Sequence, residues 1–378
     1  MYYLRISLLI LVFVCCEERK TIEVDINHTI ETFMILRSLS KEDPLFKYRD
    51  STYKGKPIMY EARKTFAKYK NHQAVKETQK LLNFTSSTGD LILQGLLYFE
   101  ELPYTSIKYK IDSDDWRNQK ESLTDYIYIL NQFYKDAKVD EFISKHSEFY
   151  NGAIYEANSY LDDNLVPTLE DYFGIKNEGY KMIIIPNSPF GMGFGANTNS
   201  EKGSVFYQII SPASEIKWNE STSYDTYGFS GEGAKEYYRD LVIHELCHPF
   251  VTPFIESEKW KMEINKTSAL FVPKLDSIMS KQSYDTWWGF VNEHIVRLAE
   301  IRITKRIGIE DLEEMRNFNI KENGFILLPD AEKLVEEYQN NRNKYENFQQ
   351  FVPKLIEQLK SFEKLDIYKK IEEINQNN

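Results

Sequence analysis

Cysteine and long hydrophobic runs are both scarce in this sequence of 378 residues. Of its three cysteines, Cys15 and Cys16 are adjacent near the start, and Cys247 stands alone. If the first fifteen or so residues are removed on export, no internal disulfide can form, and packing must stabilise the fold. After that first segment no apolar run approaches the roughly 18 residues that suggest a membrane-spanning helix.

Basic residues are outnumbered by acidic ones. The chain has 47 Lys and Arg against 58 Asp and Glu, a net charge of −11, and no long basic stretch. Binding to nucleic acid needs clustered positive charge that can neutralise phosphates. We therefore predict no nucleic-acid partner. With 42% hydrophobic and 28% charged residues, the composition is that of a globular protein and not of a disordered one.

The first residues have the pattern of an export signal. Arg5 precedes an apolar run, 6–14, which is followed by Cys15, Cys16 and two glutamates. The run is too short to cross a bilayer core, which needs roughly 20 residues. A cysteine at its end resembles the lipobox of bacterial lipoproteins, and either cysteine could carry the lipid. We expect an exported lipoprotein of the cell envelope, on the outer membrane or cell surface; an ordinary secretory signal is the alternative.

The pattern of apolar residues divides the remaining chain into a first part that is mainly helical and a second part that contains both helices and strands. We expect a signal peptide at 1–16, a mainly helical region at 17–148, a second domain at 149–365 and a polar tail at 366–378. In the mixed part, two short apolar runs predict strands at 180–186 and 204–210, joined by a glycine-rich loop at 187–203. The predicted helices are 28–40, 57–72, 90–101, 116–138, 151–173, 234–250, 284–306, 309–318, 331–345 and 353–375.

The chemistry is concentrated in the helix predicted at 234–250. Here His244, Glu245 and His248 form the pattern H-E-x-x-H. Residues four apart lie on one helix face, so both imidazoles can bind one zinc ion at about 2.0–2.1 Å. Glu245 lies beside that ion, where it can take a proton from a metal-bound water. The neighbouring positions are uncharged, which is typical of a buried helix, and two incidental core histidines are the simpler alternative.

A proline interrupts the pattern immediately after the second histidine. Pro249 has no amide hydrogen and disfavours helical geometry at His248, which precedes it. We therefore expect the helix to end or kink at His248. Pro253 indicates that the chain has left the helix by that point.

The segment from HELCH to NEHIVR, within 235–305, resembles the zincin metallopeptidases, and the chain resembles zincin-like lipoproteins of Bacteroidota. The metzincin branch would place Gly and His where this chain has Val251 and Phe254. The gluzincin branch takes its third ligand from a later helix, and Asn292-Glu293 matches the start of its N-E motif. The resemblance thus implies a Zn²⁺ ion held by the two histidines and Glu293.

Neighbouring residues on the same predicted helix leave alternatives open. Glu300 and His294 could each be the third ligand instead of Glu293. A further possibility is that Glu293, Arg297 and Glu300 form a solvated stripe of ion pairs, which contributes little stability. Some gluzincins carry an acid four positions after the glutamate ligand. Arg297 stands there in this chain, so Asp240 is the candidate for orienting the histidines.

The resemblance also implies a fold and the parts of a mechanism. The fold class is α+β, with a small zincin-like sheet packed on the H-E-x-x-H helix and mainly helical additions at both ends. Strand 204–210 is expected to be the edge strand that pairs with an extended substrate. The resemblance implies that a tyrosine or a histidine stabilises the oxyanion, and Tyr284, Tyr237 and Tyr238 are the candidates.

The sequence therefore predicts a zinc metallopeptidase that hydrolyses a peptide or protein substrate, with Glu245 as general base. Two other functions stay open. The chain could be a surface binding lipoprotein with a weak or lost metal site, which Pro249 and Arg297 favour. It could also be a zinc hydrolase of a non-peptide amide, because the metal chemistry would be the same.

Overall fold

The computed structural model describes residues 19–40, 55–84, 90–109, 120–188, 193–199, 203–217, 224–230, 234–309 and 311–376. The predicted signal peptide and the possible lipidation sites Cys15 and Cys16 lie outside these residues. In the part described, no helix is both long and apolar enough to cross a membrane.

Helices account for most of the described chain. Short 3₁₀ turns occur at Ala67–Tyr69, Ser268–Leu270 and Ser280–Gln282. The α-helices are α1 (His28–Leu39), α2 (Pro57–Phe66), α3 (Gln73–Phe84), α4 (Asp90–Leu96), α5 (Lys120–Ala137), α6 (Val139–Lys145), α7 (Ser147–Asn158), α8 (Leu165–Phe173), α9 (Ala234–Ile255), α10 (Glu258–Asn265), α11 (Pro273–Met279), α12 (Trp287–Arg306), α13 (Leu312–Lys321), α14 (Leu328–Asn340), α15 (Phe348–Leu359) and α16 (Lys364–Gln376).

One small mixed sheet lies beside these helices. Its strands are β1 (Glu23–Asp25), β2 (Gly179–Ile184), β3 (Gly193–Asn199) and β4 (Ser204–Ile210), in the spatial order β1-β2-β4-β3. β2 is parallel to both β1 and β4, whereas β3 is antiparallel to β4. α9 packs against β3 and β4. This confirms the predicted α+β fold, with a small sheet packed on the H-E-x-x-H helix.

The two predicted strands are confirmed, but the role expected of the second is wrong. β2 and β4 are the continuous apolar runs that a strand covered on both faces requires. β4 lies between β2 and β3, so it cannot be the edge strand. The edge strands of the described sheet are β1 and β3, and β3 arises within the segment predicted to be a loop. Its glycines weaken the strand pattern in the sequence, although backbone pairing with β4 is complete.

Of the two alternatives expected at His248, a helix end or a kink, the helix end is wrong. α9 continues through Pro249 and Pro253 to Ile255. Pro249 has no amide hydrogen to offer the carbonyl of Glu245, four residues earlier. That carbonyl faces β3, where a Cβ on Gly195 would lie only 2.6 Å from the oxygen. β3 therefore approaches α9 at Gly195, at the same carbonyl that lacks its helical hydrogen bond.

Two other predicted helices are each divided in the structure. Segment 151–173 forms parts of α7 and α8, separated by a turn in which the Asp162 carboxylate accepts the Asn164 amide at 2.6 Å. Segment 353–375 is divided between α15 and α16. A helical pattern in sequence does not reveal such breaks, because both halves keep their apolar faces.

The N-terminal segment contributes to the same core as the sheet. β1 extends the sheet through β2, and every residue of α1 from Thr29 to Leu39 is buried. Within α1, the Glu31 Oε1 accepts hydrogen bonds from the Tyr150 hydroxyl and the Asn187 side-chain amide, both at 2.6 Å. Burial raises the pKa of Glu31 to about 7, although these hydrogen bonds oppose the shift. Glu31 thus joins α1 to α7 and to the chain following β2.

We expect Glu31 to make the protein less stable as the pH rises from 4.5 to about 7. The unfolded chain loses the Glu31 proton at the ordinary pKa of 4.5, whereas the folded chain keeps it until about 7. Between these values the unfolded state binds fewer protons, so the free energy of unfolding falls, by about 3 kcal/mol in total. Glu31→Gln removes this contribution. Urea unfolding of both proteins across this pH range tests it, and parallel stability curves would contradict it.

Candidate metal centre

The packing of α9 against α12 brings together three side chains from the predicted motifs. His244 and His248 project from α9 and Glu293 from α12, and their ligand atoms lie within 4.8 Å of one another. The Thr286 hydroxyl caps α12 by accepting the Gly289 amide at 3.0 Å. α12 is buried along most of its length, so Glu293 is only 2% exposed. Such a buried carboxylate requires cationic or metal partners.

The distances within this group match the edges of a tetrahedral metal site. The two histidine Nε2 atoms are 3.2 Å apart. Glu293 places Oε1 at 3.1 Å from His244 Nε2 and Oε2 at 3.5 Å from His248 Nε2. Ligands bound at 2.0–2.1 Å in a tetrahedron are about 3.3–3.4 Å apart. Two imidazoles and a carboxylate are also a donor set typical of zinc, so the group could hold this ion.

Each histidine makes a second contact through its other ring nitrogen. His244 Nδ1 lies 3.1 Å from Glu300 Oε2. His248 Nδ1 lies 3.1 Å from the Thr252 hydroxyl, which donates to Asn292 Oδ1 at 3.0 Å. These contacts hold the rings so that both Nε2 atoms face Glu293. Metal-binding histidines are commonly oriented in this way.

The acidic stripe considered on α12 is buried and tied together by one arginine. Glu293 and Glu300 are 2% and 1% exposed, so they do not form a solvated stripe. Arg297 Nε lies 3.1 Å from Glu293 Oε1, and its Nη1 lies 3.0 Å from Glu300 Oε2. The alternative ligand His294 lies elsewhere, against the rings of Phe290 and Phe325.

The role considered for Asp240 has no support in its contacts. Its carboxylate lies 2.8 Å from Arg239 Nε, and Arg239 also binds Asp311 at 2.9 Å. Glu300 is the acid that contacts a histidine of the motif. The sequence offered one signal for this, because Glu300 lies seven residues after Glu293 on nearly the same helix face. The sequence predicts Glu300 only as an alternative third ligand, whereas in the structure it contacts His244 Nδ1.

The charged groups shift one another's protonation strongly. Burial alone would lower the pKa of His244, but Glu293 and Glu300 raise it to about 10. For His248, burial dominates and lowers the pKa to about 4. Burial disfavours the Glu293 carboxylate, yet His244 and Arg297 hold its pKa below the usual range. Glu293 is therefore ionised at neutral pH, as a metal ligand must be.

Glu245 lies on the β3 side of this group. Its Oε2 accepts a hydrogen bond from the Gly195 amide at 2.7 Å. Burial raises its pKa to about 7, while His244 and the Gly195 amide oppose the shift. A carboxylate that titrates near neutral pH can both take up and release a proton. The sequence did not predict the Gly195 contact, because this glycine was assigned to a loop.

Comparison with known proteins places these residues in a family. A family model described as a domain of unknown function, DUF4932, matches residues 103–358, which is more than half of the chain. The protein belongs to the DUF4932 family. No curated protein and no solved structure matches it. The segment that matches DUF4932 includes α9, α12 and β2–β4, whereas α1 and β1 precede it.

Two glycines of β3 let the DUF4932 strand lie against α9, and we expect them to tolerate alanine differently. A Cβ on Gly195 would meet the Glu245 carbonyl oxygen at 2.6 Å, and this backbone atom cannot easily move. A Cβ on Gly193 would meet Leu241 Cδ2 at 2.6 Å, the flexible end of a side chain. Gly195→Ala should cost about 1–3 kcal/mol of unfolding free energy, and Gly193→Ala clearly less. Equal losses in urea unfolding would contradict this.

Proposed function

We propose that this DUF4932 protein is a zinc-dependent metallopeptidase. The observation that carries the proposal is the convergence of His244, His248 and Glu293 at distances that suit a tetrahedral ion, with Glu245 beside them. Structural zinc sites use up all four positions, whereas three protein ligands leave one open for a substrate or water. A general base next to an open position supports hydrolysis over a purely structural role.

The protein's own groups have separate tasks in this reaction. Zinc, when bound, supplies Lewis acidity, which polarises a carbonyl and makes water more acidic. Glu245 accepts the proton of the attacking water and transfers it to the leaving amine. The Gly195 amide holds one oxygen of Glu245, which fixes the carboxylate next to the edge of β3.

Of the three candidate tyrosines, Tyr284 is the one best suited to stabilising the oxyanion. Burial raises the pKa of its hydroxyl, and the charges of Glu293 and Arg297 also act on it, so the hydroxyl lies near the proposed site. Tyr238 is 2% exposed, and its hydroxyl contacts the Ser211 and Gly228 carbonyls at 3.2 Å each. Tyr237 is 45% exposed. We propose that Tyr284 donates a hydrogen bond to the developing oxyanion.

The edge strand supports a peptide or protein as the substrate. Because the Gly195 amide points to Glu245, the edge of β3 that faces away from β4 runs next to the base. An extended peptide can add to such an edge through main-chain hydrogen bonds. The proposed lipid anchor at Cys15 or Cys16 would hold the enzyme at the cell envelope. Mass analysis of the protein and its Cys→Ser variants tests that anchor.

One contact favours a second function, that of a binding protein with a weak metal site. Arg297 Nε lies 3.1 Å from Glu293 Oε1, so a fixed cation already neutralises part of the charge that zinc would need. A protein whose arginine replaced the metal would keep the fold without binding zinc. Metal analysis separates the two functions directly.

We expect about one zinc per chain in the purified protein and in its Glu245→Gln variant. This variant should lose turnover by at least about 10²-fold, because it lacks the base but keeps all three ligands. Glu293→Ala should lose zinc. Elemental analysis and cleavage of an unfolded protein pool measure both properties. A zinc-loaded Glu245→Gln variant with full turnover would refute the assignment of the base, and a zinc-free parent would favour the binding protein.

We expect Tyr284→Phe to lower kcat by about 10²-fold, because one oxyanion donor is lost. Zinc content measured with zinc in excess should stay at about one per chain, since all three ligands remain. Tyr237→Phe is the matched control and should retain kcat. The opposite pattern in steady-state kinetics would assign the role to Tyr237.

A further inference from the structure

Two residues of α12 lie behind the proposed metal ligands. We infer that Glu300 and Arg297 are positioning residues that hold His244 and Glu293 ready for the metal. This inference rests on the proposed zinc site and adds to it. Some gluzincins carry an acid at the position of Arg297. In this chain we infer that Glu300 is the acid that orients His244.

Glu300 fixes the orientation and tautomer of His244. Its carboxylate is 1% exposed, and Oε2 lies 3.1 Å from His244 Nδ1. An ionised carboxylate can only accept a hydrogen bond, so Nδ1 must carry the proton. Metal binding requires the neutral ring, whose lone pair is then on Nε2, the atom that faces Glu293 and His248. A carboxylate partner also makes the ring a more basic ligand.

Arg297 fixes the two carboxylates relative to each other. Its Nε binds Glu293 and its Nη1 binds Glu300, at 3.1 and 3.0 Å. A guanidinium is planar, so two carboxylates bound to one fork keep a set separation. The group also lies over the Phe325 ring, with its central carbon 5.8 Å from the ring centroid. Arg297 thereby fixes the ligand Glu293 relative to Glu300.

The two histidines are consequently held by different chemistry. His248 has a neutral partner, the Thr252 hydroxyl, which is bound in turn to Asn292. His244 has an ionised partner. Asp240, an acid four residues before His244, is held by Arg239. We therefore expect zinc affinity to depend on Glu300 and not on Asp240, although both substitutions remove one negative charge close to the same helix.

The test compares Glu300→Gln with Asp240→Asn in the purified chain. Loss of a partner behind a metal ligand weakens metal binding by about 10–100-fold. We expect a weakening in this range for Glu300→Gln, measured by competition with a zinc chelator, and none for Asp240→Asn. Proton NMR of the zinc-loaded protein supplies a second readout. A downfield Nδ1–H signal from His244 should shift upfield in Glu300→Gln and stay in place in Asp240→Asn.

Arg297→Lys tests the bridging contact. Lysine keeps the charge but cannot hold two carboxylates with a planar fork. We expect Arg297→Lys to bind zinc more weakly. In the double variant Glu300→Gln/Arg297→Lys, the loss of zinc-binding free energy should be smaller than the sum of the two single losses. Fully additive losses would show that the residues act separately and would overturn the bridge. If Glu300→Gln does not fold, Glu300→Asp keeps the charge, shortens the reach and should weaken zinc binding in the same direction.

The outcomes separate this inference from the proposed function. A parent chain that binds no zinc would refute the zinc enzyme itself. A parent that binds zinc, with Glu300→Gln unchanged in both affinity and NMR signal, would overturn only the positioning role of Glu300.

Discussion

The burial of a charged network between α9 and α12 is the constraint on which the site depends. Glu293 and Glu300 are almost fully buried, and an unpaired carboxylate at such depth would be strongly destabilising. Arg297 and His244 satisfy both carboxylates at 3.0–3.1 Å. The same packing of α9 against α12 brings His248 to Glu293. Stability and site geometry follow from the same contacts.

The sheet and the N-terminal segment support that pair of helices. β3 lies on α9 through glycines, and its Gly195 amide reaches Glu245. β4 continues the contact with α9, where Phe206 packs edge-to-face against Phe250 with ring centroids 4.8 Å apart. At the opposite edge of the sheet, β1 pairs with β2. Glu31 joins α1 to the chain that follows β2. Segments outside the DUF4932 match thus contribute to the same core.

The sequence predicted the parts of the site that depend on local spacing. His244 and His248 share a helix face at any position in the fold, and an apolar run such as β2 forms a buried strand. The parts that it missed depend on tertiary contacts. Nothing local shows that β3 would pair with β4 and approach Glu245. Nor does local sequence show that α9 would continue past Pro249, because the cost of a lost hydrogen bond depends on what surrounds the freed carbonyl.

The pairing of Glu300 with His244 belongs to the same class of missed features, since it joins residues on two helices. We propose that α9 and α12 together form a zinc site. X-ray absorption at the zinc edge, on the protein loaded with one equivalent of zinc, tests it most directly. We predict a four-coordinate shell with two imidazoles and a carboxylate at about 2.0–2.1 Å. A shell without imidazole scattering, or a protein that does not retain zinc, would contradict the account.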